Sequence, residues 1–325
     1  MTMQTNRSEK AEADKQKATR LARAEQPEQA ETDGSGQAET DRSVRSRITI
    51  DITGVQVDPV NMEGAAEIVA TLIREYRACC EKRDSTRDGK REENHCGNQD
   101  GTHGSHLPCS YVCTPNAEIM MMAQKDALLK QILNEAALLI ADGAGVVLAA
   151  KLLGYGSIPR VPGFDLTKKL LTEPEAYPFS FYFLGGKPGV AETAAQKMSQ
   201  DNPAARIVGF HDGYFKQDEE PALIEAINQS GADILLVALG APKQEKWISQ
   251  NRDKLTVPVA IGVGGSLDIF AGTASLAPGF FRRNGLEWLY RLIREPWRFR
   301  RMMRLPQYVL FTLRWRLTKR KQRQP

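Results

Sequence analysis

Short apolar runs alternate with amphipathic stretches along most of the chain. From residue 110 onwards, SYVC, ALLIAD, FSFYFLGG, ARIVGF, DILLVALG and VPVAIGVGG are each short, apolar and bounded by glycine, proline or polar residues, which is typical of buried strands. The segments between them, such as GVAETAAQKMSQ, have helical periodicity. This alternation predicts an α/β fold: a Rossmann-like parallel sheet with helices on both faces.

The alternation begins near residue 47. There RITIDITGVQVD has the pattern of a strand, and NMEGAAEIVATLIREY has that of a helix. Residues 1–46 are rich in Glu, Gln, Ala, Lys and Arg and contain almost no aromatic residues, so we expect a disordered N-terminal tail. The pattern therefore predicts an α/β domain over residues 47–275 and a helical, basic C-terminal appendage over residues 276–325.

A polar segment interrupts this domain at residues 78–109. It contains glycines and lacks apolar periodicity, which predicts a surface insertion. The candidate zinc ligands in it are Cys96, Cys109, His95, His103 and His106. Their spacing matches no paired Cys-x-x-Cys or His-x-x-x-His pattern, so a disordered loop is favoured over a zinc site.

The basic residues are concentrated at the C-terminus. The whole chain has a net charge of +4, but residues 282–325 carry 14 lysines and arginines against 2 acidic residues, which leaves −8 for the rest. This predicts an anionic partner for the C-terminal segment, either phosphates or a membrane surface. The N-terminus has no apolar signal sequence and no apolar run is long enough to span a membrane, so we expect a cytoplasmic protein.

The segment CTPNAEIMMMAQKD marks the end of the strand SYVC. Thr114 and Pro115 fit a helix start, with Thr114 as the N-cap and Pro115 as the first helical residue. A second interpretation places Thr114, Pro115 and Asn116 in a ligand-facing loop. Ligands of parallel α/β sheets bind beyond the carboxyl ends of the strands, where this segment is expected to lie.

Asp142 is the candidate general base. It follows the apolar run AALLIA and precedes a glycine turn. One interpretation is an N-cap for the helix that begins near Gly145; the other is a carboxylate whose pKa is raised by the neighbouring core and which accepts a proton. The glycines in DGAGVVL match a dinucleotide fingerprint only in part, because Leu148 stands in the third glycine position.

Three further polar residues follow strands or lie in proline-rich loops. Gln244 and Lys243 stand at a predicted helix start in GAPKQE, either as ordinary helix-start residues or as donors to a sugar or phosphate. Arg160 lies in IPRVPG, either as a surface residue or as a charge partner for an acidic ligand.

Cationic side chains are the expected counter-charge for any diphosphate ligand. The chain contains no Asp-x-Asp pair, a common means of holding a nucleoside diphosphate through a metal. Arg291, Arg294, Arg298 and Arg301 recur at helical spacing, although Pro296 is expected to break the helix between the pairs. Beyond Pro306, aromatic and aliphatic residues mix with dense cations, which is typical of a helix at an anionic membrane surface; no fold signature supports nucleic-acid binding.

Several motifs together resemble the WecG/TagA/CpsF glycosyltransferases. They are TPNAEIMMMAQKD, ADGAGVVLAAKLLG with IPRVPGFDL, FLGGKPGVAE, GFHDGYF, LGAPKQEKWI and GVGGSLDIFAGTASLAPGFFRRNGLEWLYRLIREPWR. The resemblance covers residues 47–310 apart from the insertion, and among the family's activities it is closest to the TagA type. It implies inverting transfer of N-acetylmannosamine from UDP-ManNAc to GlcNAc-diphospho-undecaprenol in teichoic-acid linkage-unit synthesis.

The resemblance also implies roles for individual residues. Asp142 matches the proposed catalytic base, and no metal or cofactor is implied. The positions that match substrate-binding residues are Thr114, Asn116, Arg160, Gln244, Arg291, Arg298 and Arg301. The partners implied are a UDP-sugar donor, a polyprenyl-diphosphate-linked GlcNAc acceptor and the inner face of the cell membrane, to which the enzyme would bind peripherally.

Other functions stay open at this stage. One alternative lies within the same family: a different donor, UDP-ManNAcA or UDP-glucose, used in exopolysaccharide or enterobacterial-type antigen synthesis. Outside it, the glycine-rich turns are compatible with an NAD-dependent dehydrogenase, and the basic segment with a non-enzymatic adaptor of membranes or nucleic acid. A homo-oligomer is also left open.

Overall fold

The structure is a computed structural model that describes residues 48–87, 107–294, 296, 299 and 303–322. The expected disordered tail of residues 1–46 lies outside these residues, as do the candidate zinc ligands His95, Cys96, His103 and His106. Arg298 and Arg301 lie outside them too, and for Arg291 only the backbone is described.

The predicted first strand is a hairpin of two short strands. Strands β1 (Ile50–Ile52) and β2 (Val55–Val57) pair antiparallel. Thr53 and Gly54 form the turn with positive φ angles of 57° and 83°, and the Asp51 carboxylate accepts a hydrogen bond from the Gly54 amide at 2.6 Å. Alternation alone does not distinguish one strand from two, because a two-residue turn preserves the period of two.

Within the described residues, a six-stranded parallel sheet confirms the predicted fold class. Its strands are β3 (Ser110–Cys113), β4 (Leu138–Leu139), β5 (Ser180–Gly185), β6 (Arg206–His211), β7 (Ile234–Ala238) and β8 (Val259–Gly262). Their spatial order is β4-β3-β8-β7-β5-β6, and each neighbouring pair is parallel. Every residue of β5, β7 and β8 is buried, as their continuous apolar runs predict.

Helices cover both faces of this sheet. They are α1 (Met62–Arg87), α2 (Ala117–Ala123), α3 (Ala127–Glu135), α4 (Ala144–Leu153), α5 (Gly163–Thr172), α6 (Val190–Asp201), α7 (Glu220–Gln229), α8 (Lys243–Asn251) and α9 (Ser266–Phe270). One hydrophobic core contains Leu235 and Val237 of β7 with side chains from α2, α3, α4, α7 and α8. The other contains Ile234 and Leu236 with side chains from α1, α5, α6 and α9, because alternate strand residues point to opposite faces.

The segment predicted as an insertion at 78–109 is partly regular structure. Residues 78–87 form the last turns of the 26-residue helix α1, and Cys109 is fully buried directly before β3. Burial raises the pKa of the Cys109 thiol to about 12, which keeps it protonated and unreactive. The predicted insertion therefore keeps helical structure up to Arg87, and its residues 88–106 lie outside the part of the chain that the structure describes.

The C-terminal region forms three further helices, α10 (Gly279–Arg283), α11 (Glu287–Arg294) and α12 (Arg304–Gln322). Helix α11 ends two residues before Pro296, as expected from the clash of a proline ring with a preceding helical turn. Pro306 lies in the first turn of α12, where a proline is tolerated.

Helix α12 has a buried side and an exposed side. Tyr308 and Thr312 are fully buried, and Tyr308 belongs to the core that α2 and α4 help to form. On the other side, Leu310, Leu313 and Leu317 are 52%, 38% and 60% exposed. The segment after Pro306 is therefore not only a surface element, because one of its faces completes the core of the α/β domain.

Candidate active site

The carboxyl ends of four neighbouring strands, β4, β3, β8 and β7, carry most of the predicted site residues. Asp142 follows β4, Thr114 and Asn116 follow β3, and Gln244 lies in the first turn of the helix after β7. Since all four strands are parallel and adjacent, these residues share one edge of the sheet. The sequence interpretation of Thr114–Asn116 as a strand-end loop is thus confirmed in its placement.

Asp142 is partly buried, and a neighbouring loop holds its carboxylate. Its Oδ1 accepts a hydrogen bond from the backbone amide of Gly163 at 2.8 Å, and its own amide nitrogen lies 3.4 Å from the carbonyl oxygen of Pro115. The N-cap of α4 is Gly143, and no side chain caps the helix there. The interpretation of Asp142 as a helix N-cap is therefore wrong, because its carboxylate binds the amide of Gly163 at the start of α5 instead.

Asn116, rather than Thr114, caps helix α2. The Asn116 side chain accepts hydrogen bonds from the amides of Glu118 and Ile119 at 2.9 and 3.2 Å, and the helix begins at Ala117. The Thr114 hydroxyl instead donates to the carbonyl oxygen of Gly262 at the end of β8, at 3.2 Å. The prediction of a Thr N-cap with Pro115 as first helical residue is wrong, because the helix begins two residues later than predicted and the Thr114 hydroxyl links the ends of β3 and β8 instead.

Two glycines let these side chains approach one another. A Cβ atom at Gly143 would lie 3.2 Å from Cβ of Asn116, and one at Gly163 would lie 2.9 Å from both the hydroxyl and the methyl group of Thr114. Gly163 therefore touches Thr114 with its Cα face and binds Asp142 with its amide. The local sequence marks Gly163 only by the Pro-Gly pair that opens helix α5, which is too common a helix start to predict a site residue.

Gln244 is buried and braces the loop after β8. It is 3% exposed, and its Oε1 accepts a hydrogen bond from the Gly264 amide at 3.1 Å. Its Nε2 donates to Oε1 of Glu245, also 3% exposed, at 2.9 Å. Burial raises the pKa of the Glu245 carboxyl. Lys243, in contrast, is exposed, with Nζ 5.5 Å from the centre of the Phe215 ring.

Arg160 connects the α/β domain to the C-terminal region. One guanidinium nitrogen donates to the carbonyl oxygen of Arg282 at 2.9 Å, and another lies 3.5 Å from Oε1 of Glu287. Arg282 also forms ion pairs with Asp165 and, at 3.9 Å, with Glu287. This network holds helices α10 and α11 beside the edge of the sheet that carries Asp142.

The turn between α10 and α11 reaches the start of helix α4. A Cβ atom at Gly285 would lie 2.8 Å from Cβ of Ala144, the second residue after Asp142. Gly285 also has a φ angle of 68°, which favours glycine. The C-terminal region therefore packs against the start of the helix that follows Asp142.

The structure describes the predicted arginines of the C-terminal region only in part. The backbone of Arg291 lies in α11, but its side chain and the residues Arg298 and Arg301 are outside the described part of the chain, so their substrate-binding roles stay predictions. Among the described residues, no group of three or more His, Cys, Asp and Glu side chains is placed to hold a metal ion. None of the helices in the described ranges is both long and apolar enough to cross a membrane.

Comparison with known proteins supplies the context for this edge of the sheet. Residues 101–322 match the model of the glycosyl transferase WecG/TagA/CpsF family. An N-acetylglucosaminyldiphosphoundecaprenol N-acetyl-beta-D-mannosaminyltransferase of Bacillus spizizenii is 37% identical over 218 residues, which cover 65% of this chain and 84% of that enzyme. The enzyme of the same description from Bacillus subtilis is 35% identical over 203 residues, covering 62% and 78%. The chain therefore belongs to the WecG/TagA/CpsF family of glycosyltransferases.

Proposed function

We propose that this glycosyltransferase moves N-acetylmannosamine from UDP-ManNAc to GlcNAc-diphospho-undecaprenol and forms a β-glycosidic bond. The two Bacillus enzymes similar to it carry names that describe this acceptor and this sugar. The observation that carries the proposal is the position of Asp142, a partly buried carboxylate at the carboxyl edge of the sheet, held at 2.8 Å by the Gly163 amide. The product would be the disaccharide lipid of teichoic-acid linkage-unit synthesis.

The chemistry assigns Asp142 the role of general base. A sugar hydroxyl is a weak nucleophile until a base removes its proton as it attacks. In the proposed step, the acceptor hydroxyl oxygen bonds to the anomeric carbon of the donor, its proton passes to Asp142, and the bond from that carbon to the diphosphate breaks. A single displacement of an α-linked donor gives the β product and releases UDP.

The leaving UDP gains negative charge during this step, and cations stabilise that charge. Arg291, Arg298 and Arg301 are the side chains proposed for this role. The Arg160 network supports the assignment, because Arg282 and Glu287, which flank the turn at Gly285, are bound to the α/β domain through Arg160 and Asp165. These contacts bring the segment that leads to Arg291 to the edge of the site.

The C-terminal region is proposed to bind the membrane surface. Helices α11 and α12 and the residues between them line an open apolar groove of about 530 Å³, formed by Trp288, Leu292, Phe299, Met303, Leu305, Pro306, Val309, Leu310 and Leu313. Arg314 and Arg316 are exposed on the same helix as Leu310. Exposed apolar side chains beside cations favour binding to the interface of an anionic leaflet, where a polyprenyl acceptor is anchored.

A donor panel tests the proposal. Purified enzyme is incubated with a short-chain lipid-diphosphate-GlcNAc and UDP-ManNAc, UDP-ManNAcA, UDP-glucose or UDP-GlcNAc, and products are identified by mass spectrometry, with the anomer assigned by NMR. We expect a HexNAc addition from UDP-ManNAc, in the β configuration, and none from its epimer UDP-GlcNAc. Transfer only from UDP-ManNAcA or UDP-glucose would show a different donor, and an α product would exclude the single displacement.

A further inference from the structure

Glu245 is a buried carboxyl group next to a residue of the candidate site. It lies in the first turn of α8, is 3% exposed, and its Oε1 accepts the hydrogen bond from Gln244 Nε2 at 2.9 Å. Its second oxygen, Oε2, has no hydrogen-bond partner among the residues that the structure describes. Burial and then the negative charge of Glu245 raise the pKa of the thiol of Cys113, the last residue of β3.

The bond from Gln244 to Glu245 fixes which way the Gln244 amide faces. An amide side chain has one acceptor end and one donor end. With Nε2 directed to Glu245, Oε1 is directed to the backbone amide of Gly264, which donates to it at 3.1 Å. If the Gln244 amide were rotated by 180°, its NH₂ group would face the N–H group of Gly264, and these two donors would each lack an acceptor.

The orientation of the Gln244 amide affects the candidate site through the loop after β8. Gly264 has a φ angle of 52°, and its amide bond to Gln244 ties the loop to helix α8. Gly262, two residues earlier, accepts the bond from the Thr114 hydroxyl, and a Cβ atom there would lie 2.8 Å from Nε2 of Gln244. The end of β8 is thus held between Gln244 on one side and Thr114 on the other.

A carboxyl group in this place is unfavourable for stability. Burying a polar group with an unpaired oxygen has a free-energy cost that an apolar side chain of similar volume does not have. We propose that Glu245 is a positioning residue for glycosyl transfer: it orients the Gln244 amide and thereby sets the Val263–Gly265 loop at the edge where Asp142 and Thr114 lie. This inference rests on the proposed function for its catalytic consequence.

The kinetic test separates positioning from folding. Glu245→Met removes the acceptor but keeps the volume. We expect it to stay folded at the assay temperature, because removal of the unpaired Oε2 offsets the lost bond from Gln244 Nε2, while kcat/KM falls about 10- to 100-fold, mainly through kcat. Glu245→Gln keeps a carbonyl acceptor and should stay close to the wild-type rate. Because the effect passes through Gln244, the double variant Glu245→Met with Gln244→Met should be no slower than Gln244→Met alone.

A second readout needs no substrate. Hydrogen exchange of the Gly264 amide should accelerate in Glu245→Met and not in Glu245→Gln, while Lys246→Gln, which breaks the neighbouring 2.6 Å ion pair with Asp126, should leave it unchanged. A wild type without transfer activity would refute the proposed function, and the exchange result would still decide whether Glu245 holds the loop. Unchanged exchange in Glu245→Met, a full wild-type rate in that variant, or a loss of folded protein that accounts for its slower rate would each overturn the inference.

Discussion

The carboxylate of Asp142 accepts a hydrogen bond from the backbone amide of Gly163, with Oδ1 2.8 Å from the nitrogen. Gly163 is the first residue of helix α5, so the bond links the end of β4 to the start of a helix 21 residues further along the chain. It fixes the carboxylate away from the helix that directly follows it. The same glycine packs against Thr114, so one residue positions two members of the candidate site.

Replacement of the base should stop turnover without unfolding the enzyme. In Asp142→Asn the amide oxygen still accepts the bond from Gly163, but the side chain no longer accepts a proton, and loss of a general base costs about 10²- to 10⁴-fold in rate. Turnover of the short-chain acceptor and a thermal melt measure the two effects. Asp201→Asn, at an exposed aspartate that ends helix α6, is the matched control. A rate and pH profile of Asp142→Asn close to the wild type would refute the assignment.

A methyl group at position 163 should displace Thr114 and the Gly163 amide that binds Asp142. In Gly163→Ala the new Cβ atom would lie 2.9 Å from the hydroxyl and methyl of Thr114, and such overpacking costs about 1–3 kcal/mol of unfolding free energy. Since the Gly163 amide moves with it, we expect kcat/KM to fall by at least about tenfold. Gly279→Ala is the control, because no heavy atom lies within 4 Å of a Cβ at that position. Equal behaviour of the two variants in melting and turnover would contradict the packing argument.

The Glu287 carboxylate should matter more for activity than for stability. Its contacts with Arg160 and Arg282 are partly exposed, at 3.5 and 3.9 Å, and such ion pairs contribute about 0–1 kcal/mol. Glu287→Gln should therefore melt close to the wild type. If the C-terminal region must stay bound beside the site, turnover should fall about fivefold, as expected for about 1 kcal/mol.

The matched control for that variant is Glu173→Gln, which removes an ion pair between Lys169 and Glu173 on the exposed surface. It should change neither turnover nor its dependence on salt. Wild-type turnover in Glu287→Gln over a range of ionic strength would show that the network does not support catalysis.

Catalysis should not require a divalent metal. The expectation rests on the missing Asp-x-Asp pair and on the arginines of the C-terminal segment as counter-charge for the diphosphate. Turnover is measured after treatment with EDTA, in metal-free reagents, and should be unchanged. A collapse of the rate that magnesium or manganese restores would show that a metal, rather than arginine, carries most of the counter-charge.

The exposed face of α12 should bind the membrane independently of catalysis. Replacing Leu310, Leu313 and Leu317 by serine should weaken sedimentation with anionic vesicles, and salt should weaken wild-type binding too, because the field of the headgroups is screened. Turnover of a soluble acceptor analogue and the melting temperature should change little. Sedimentation of the triple variant at the wild-type level would place the anchor elsewhere.

Truncation is a poorer test of the same surface. Deleting residues 307–325 also removes Tyr308, which is fully buried, and loss of a large buried aromatic side chain costs about 3–5 kcal/mol. A control on the buried side, Tyr308→Ala, should destabilise the α/β domain while leaving the exposed leucines in place. The membrane role and the folding role of α12 are therefore separable by point substitution.

Much of the architecture follows from local patterns in the sequence. The continuous apolar runs at β5, β7 and β8 predict buried strands, and the structure buries every residue of these three strands. Pro296 predicts the end of α11, and GAPKQE predicts a helix that begins at Lys243. These features are readable because burial periodicity and backbone restrictions act within a few residues.

The pairing of distant residues was decided only by the tertiary structure. The sequence places Asp142 after a strand, but only the strand order β4-β3-β8-β7 brings it to the same edge as Gln244, and only packing turns its carboxylate to Gly163 instead of to the helix that follows it. The same holds for the ion pair between Arg160 and Glu287, which are 127 residues apart. It also holds for helix α12, where only tertiary packing buries Tyr308 and leaves Leu310 exposed. Local periodicity records that a side chain is buried, whereas the partner that buries it depends on contacts between elements far apart in the chain.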